Sequence, residues 1–150
     1  MKIQLLSLAL LVLSLASLRA DDEKAPYAGD VRVKTLLKTT TNSAGQTIVY
    51  PSKAPAEVSI LTVEIAPGKQ TGWHKHPVPL FGYVLEGEIT VQLANGRKHT
   101  FHQGSPLAEC VNMLHNGTNE GKVPTKLLVF IAGEKDVPFT IKATDKDSHK

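Results

Sequence analysis

Residues 68–87 read G-K-Q-T-G-W-H-K-H-P-V-P-L-F-G-Y-V-L-E-G. His74 and His76 stand one residue apart, between a turn-forming glycine and an apolar run. Side chains at i and i+2 of an extended strand project from the same face, so both imidazoles point one way. One strand can thereby offer two ligands to a metal ion. The candidates for a third are His99, His102, His115 and His149. His149 lies in a polar tail, and His99 and His102 have opposite parity on one strand, so the latter two cannot share a site. His115 follows Val111-Asn112-Met113-Leu114 and leads into Asn116-Gly117-Thr118-Asn119. Two solvated strand histidines are the plain alternative, and spacing alone leaves both readings open.

Strand signals dominate the rest of the chain. Val31–Leu37 and Thr47–Tyr50 are rich in β-formers. Val58–Ile65 alternates, with Val58, Ile60 and Thr62 on one face and Leu61, Val63 and Ile65 on the other, until Pro67-Gly68 stops it. Tyr83–Leu93 reads as a further strand. Ala94-Asn95-Gly96 is a two-residue Asn-Gly hairpin signal, and Lys98–His102 returns as its partner. Pro106–Val111 and Lys126–Gly133 complete the set. Short strands at this spacing, separated by Gly, Pro or Asn, predict an all-β sandwich or barrel in one domain.

The first 20 residues are expected to lie outside that domain. Lys2 precedes an apolar run from Leu5 to Leu18, followed by small residues and Asp21-Asp22, the pattern of a signal peptide cut after Ala20 or Ala16. The run is shorter than the roughly 20 residues that span a bilayer, so no stable membrane anchor is expected. The expected product is exported, periplasmic or secreted, with a flexible segment at 21–30, the barrel at 31–140 and a polar tail at 141–150. Loss of Lys2 and Arg19 takes 17 basic residues to 15 against 14 acidic, a net charge of +1. The lysines are scattered and nothing suggests nucleic-acid binding. Cys110 is the single cysteine, so no intramolecular disulfide can form.

Residues 68–87 resemble the first motif of the cupin superfamily: a glycine, five residues, His-x-His, three or four residues, a glutamate, six residues and a glycine. Gly68, His74, His76 and Gly87 fall in register. The second motif is matched at Gly104, His115 and Asn119, with Cys110 where the family has proline and Asn112 where it has a second glycine. The likeness runs over about Val31–Phe139 and is nearest to small single-domain, quercetin-dioxygenase-like cupins. It implies a double-stranded β-helix, or jelly-roll barrel, with a metal held by His74, His76 and His115. The motif's glutamate falls on Leu80, so the implied site has three imidazoles and no carboxylate from that position.

Such a site leaves the metal its full charge and favours an anionic or chelating small molecule in the open positions. Imidazole ligands suit a divalent transition metal, with iron and zinc first and manganese, nickel and copper also compatible. The implied activity is that of a metal-dependent, dioxygenase-like oxidoreductase. The alternative is a metal-dependent small-ligand binding protein without turnover. Glu109 reads either as an exposed strand residue or as an inward acid, base or replacement carboxylate. Trp73, Phe81 and Leu80 are candidate pocket residues, and Cys110 reads as a buried thiol beside the site. Edge strands within Val31–Tyr50 would suit a homodimer.

Overall fold

The computed structural model of the protein describes residues 34–53 and 55–144. The expected signal peptide, the whole 21–30 segment and residues 145–150 of the expected tail lie outside them. Lys34 and Thr35 belong to a separate N-terminal unit, and the barrel is part of the unit that begins at Leu36. No helix forms among the described residues.

The strands are β1 (Ala56–Ile65), β2 (His74–Lys75), β3 (Leu80–Glu86), β4 (Glu88–Leu93), β5 (Lys98–His102), β6 (Pro106–Ala108), β7 (His115–Thr118), β8 (Thr125–Glu134) and β9 (Ile141–Lys142). They form two antiparallel sheets, β1-β8-β3-β6 and β5-β4-β7-β2-β9. This is the expected double-stranded β-helix. The longest ladder joins β1 to β8 without a break, from Ala56 opposite Glu134 to Ile65 opposite Thr125. The period-2 pattern of β1 is obeyed: Leu61, Val63 and Ile65 turn inward, while Val58 and Ile60 stay exposed. Val84, Val91, Leu93 and Ile131 fill the space between the sheets.

Several expectations need correction. Among the described residues, neither 34–37 nor Thr47–Tyr50 forms a strand; the segment makes only an isolated bridge between Thr41 and Thr47. Leu36, Leu37, Val49 and Tyr50 remain exposed, so their β-forming composition finds no inner face to cover. The edge strands expected to serve a dimer are therefore absent from that segment, and Val31–Val33 lie outside the described residues. The run Tyr83–Leu93 is two strands in different sheets, divided at Gly87. Pro106–Val111 is regular only as far as Ala108. The hairpin between β4 and β5 has a three-residue loop, closed by Leu93 N–H to the Arg97 carbonyl, in which only Gly96 takes the left-handed conformation.

Gly87 is the corner where the chain changes sheets. Its φ is +70°, and a Cβ there would lie 2.6 Å from the Pro124 carbonyl oxygen. Gly96 has a φ of +83° but open space where a Cβ would go. Gly96→Ala should therefore cost only conformational strain, about 1 kcal/mol, whereas Gly87→Ala should cost about 2–3 kcal/mol as backbone is displaced as well. Urea denaturation of the two variants measures the difference, and equal losses would show that the collision with Pro124 carries no weight.

Candidate metal centre

Strand register brings the histidines together. His74 on β2 lies directly opposite His115 on β7, so their side chains share a face of the sheet. His76, two residues on, bridges to Val111, whose neighbour Asn112 donates its N–H to the His76 carbonyl at 2.8 Å. Asn112 holds a φ of 56°, a conformation that asparagine tolerates where the family motif has glycine. The three rings lie 4.4–5.0 Å apart between centroids. Their available nitrogens all fall within 4.8 Å of one another.

The outer nitrogens are tied to backbone. His74 Nδ1 donates to the Gly72 carbonyl at 2.7 Å, His76 Nδ1 to Phe139 at 2.7 Å and His115 Nδ1 to Met113 at 3.0 Å. These bonds select the tautomer in which each Nε2 carries a lone pair toward the cavity, the arrangement that orients imidazoles around an ion. His115 Nε2 is buried and has no hydrogen-bond partner. The donor set fits a divalent transition metal: three convergent neutral nitrogens, one of them unsatisfied.

Glu109 points inward. Its N–H donates to the Leu80 carbonyl at 2.9 Å, extending the β3–β6 ladder in which Phe81 faces Ala108. Residue 109 is thus the cross-strand neighbour of residue 80, and it supplies the cavity with a carboxyl from the opposite side of that ladder. Glu109 Oε2 lies 3.6 Å from His115 Nε2, and it too lacks a hydrogen-bond partner. The contact is not a salt bridge, because burial lowers the His115 pKa below its ordinary value and keeps the ring neutral. Burial likewise raises Glu109 to about 7, with the charge of His74 opposing. Burial lowers His74, and it takes His76 down to about 4.

These groups line a cavity of about 220 Å³ between the sheets, with Leu80, Ile89, Val91 and Ile131 among its apolar walls. Leu80 is the expected dry surface. Trp73 and Phe81 do not line the cavity, because each neighbours an inward residue and so has the opposite parity; Phe81 borders a surface groove with Leu37 and Tyr50. Cys110 sits behind the centre, fully buried, with Sγ 3.2 Å from His115 Nδ1. Burial pushes its thiol up to about 12, so it stays protonated.

Sequence reasoning missed Thr71, Phe139, Thr140 and Lys142, all of which line the cavity. Ile141–Lys142, which composition assigns to a polar tail, is a strand paired with β2. No periodic signal marks so short an element.

A double-stranded β-helix with a buried three-imidazole centre defines the class. Residues 61–131 match the cupin domain. Among solved structures the chain is similar to an oxalate oxidase at 22% identity and TM-score 0.50, covering 57% of this chain and 46% of that one. It is similar to the DMSP lyase DddQ of Ruegeria pomeroyi at 16% identity and TM-score 0.51, covering 57% of this chain and 43% of that one. A double-stranded β-helix protein of Klebsiella pneumoniae aligns over 77% of this chain and 100% of its own, at 16% identity and TM-score 0.51. These likenesses speak for the fold, and the match spans less than half of the oxidase and lyase chains. No curated protein matches the chain.

The shifted groups set a pH dependence for the metal-free protein. His76 is held at about 4 against an ordinary 6.5. The unfolded chain therefore binds more protons between those values, and stability rises with pH across the window, by at most about 3 kcal/mol from this residue. Glu109 acts oppositely: held at about 7 against 4.5, it keeps a proton that the unfolded chain has released, so its contribution falls as pH rises through 7. In urea melts from pH 4 to 6.5, Glu109→Gln should steepen the rise in stability and His76→Gln should flatten it. A slope unchanged by both substitutions would contradict these assignments.

Proposed function

We propose that this chain is an exported, metal-dependent oxidoreductase of the dioxygenase type, acting on a small anionic or chelating organic molecule. The observation that carries the reading is the meeting of three backbone-anchored imidazoles with one buried carboxyl in an apolar cavity. Export rests on the leader-like composition of residues 1–20.

His74, His76 and His115 would hold the ion, with iron and zinc the leading candidates. When bound, the ion supplies a Lewis acid, and iron adds redox chemistry. The rest of the work falls to the chain itself. The Nδ1 bonds hold the rings in place, so ligand geometry does not depend on what enters. Leu80, Ile89 and Val91 keep the inner wall free of water and strengthen every electrostatic contact made there. Glu109 can accept a proton at Oε2 from a C–H or O–H acid in the cavity and return it, because burial places its pKa near neutrality. The cavity, about 220 Å³ and open to solvent at the mouth, suits a small organic molecule.

A second reading, a binding protein without turnover, is favoured by Leu80 standing where the motif has glutamate. Elemental analysis after reconstitution with Fe(II) or Zn(II), followed by oxygen uptake with diketones, flavonols and small thiols, separates the two. We expect one metal per chain, lost in His74→Ala and His115→Ala. Glu109→Gln should keep its metal and lose about 100-fold or more in turnover. Protein that takes up no metal overturns the centre, whereas a tight ligand complex without oxygen uptake favours the binding protein.

A further inference from the structure

The row of residues that crosses the five-stranded sheet does not end at the histidines. Leu93 on β4 lies opposite His115 on β7, His115 opposite His74 on β2, and His74 opposite Lys142 on β9. Residues paired across adjacent strands present their side chains on the same face, so Lys142 shares the inner face with the two imidazoles. With strands about 4.8 Å apart, its Cα lies one spacing beyond that of His74 and about two beyond that of His115. The Ala143 N–H, bonded to the Trp73 carbonyl at 2.9 Å, extends the pairing past Lys142.

Lys142 lines the cavity, and its segment forms the mouth: Phe139, Thr140 and Lys142 are all exposed, whereas His76 and His115 are buried. Lysine is the only cationic residue type in the lining apart from the histidines, and among the described residues Lys142 has no carboxylate within ion-pair distance. A single ammonium at the rim attracts an anionic group; solvent weakens the attraction outside, and the apolar walls strengthen it for a group seated within the cavity.

We infer that Lys142 is a specificity-determining residue that binds the second anionic group of a small dianion, whose other donor group lies in front of the three imidazoles. The inference rests on the metal-centre reading above and narrows its substrate class to small molecules with two acidic oxygen groups a few bonds apart. The ammonium acts here as a point charge on a flexible stem, and it contributes to recognition without touching the reacting atoms.

The test uses Zn(II)-loaded full-length protein titrated calorimetrically with malonate and with its half-amide malonamate, which has nearly the same shape and one charge less. Wild type should bind malonate at least about tenfold more tightly than malonamate. Lys142→Met, which keeps the stem and removes the charge, should reduce that preference to about twofold or less, and Lys142→Arg should restore most of it. Zinc should remain at one per chain in all three proteins. Undiminished preference in Lys142→Met at full zinc occupancy overturns the inference alone, as does the absence of malonate binding to zinc-loaded wild type. Failure of wild type to hold zinc overturns the metal-centre reading, and the inference falls with it.

Discussion

The pairing of β2 with β7 is the constraint on which the site depends. It is a single cross-strand match, His74 to His115, and a slip of one residue would send one imidazole to the opposite face of the sheet. The match is fixed from several sides. Ala94 N–H bonds the Leu114 carbonyl, Thr71 N–H bonds that of Gly117, and Asn112 N–H bonds that of His76. Asn119, fully buried, spends its side-chain amide on the Ile65 and Val123 carbonyls and accepts the Gly121 N–H. Losing a partner of Asn119 leaves its fully buried amide unsatisfied, which costs more than the bond itself contributes.

With the register fixed, the electrostatics follow. The rings are neutral because burial disfavours the imidazolium, and the backbone carbonyls orient them without giving them charge. Glu109 is raised toward neutrality for the same reason. The inner end of the cavity therefore carries little net charge of its own, and a cation placed among the nitrogens would keep most of its field for whatever lies beside it. The same neutrality gives the exposed lysine at the mouth its weight.

How much of this the sequence made legible can be argued residue by residue. The parity of His74, His76 and Leu80 could be read, because strand period is a local property. The inner and outer faces of β1 and the limits of β5 could be read for the same reason. The orientation of Glu109 could not: β6 ends at Ala108, so parity lapses one residue before the glutamate, and its direction is set by pairing with Leu80 across the ladder. The sheet change at Gly87 was hidden because apolar alternation continues on both sides of it. The N-terminal segment misled because β-propensity describes side chains that fit a pleated surface, and Leu36, Leu37, Val49 and Tyr50 have none beneath them. Lys142 was hidden by composition, since its strand is two residues long and the chain beyond it is polar.

The relation between positions 80 and 109 bears on how such a site can change. They are neighbours across one ladder, with Glu109 N–H bonded to the Leu80 carbonyl, so a carboxyl at either position enters the same cavity. What differs is where its charge falls. Leu80 shares strand parity with His74 and His76, whereas Glu109 lies 3.6 Å from His115 Nε2. A carboxylate held as a ligand must be ionised and rigidly placed; Glu109, raised to about 7 and lacking a hydrogen-bond partner at Oε2, is neither fully ionised at neutral pH nor fixed at that atom. Those properties suit a group that exchanges a proton with the contents of the cavity. Leucine at 80 and glutamate at 109 thus amount to more than an exchange of sides, for they turn a fixed charge into one that depends on what is bound.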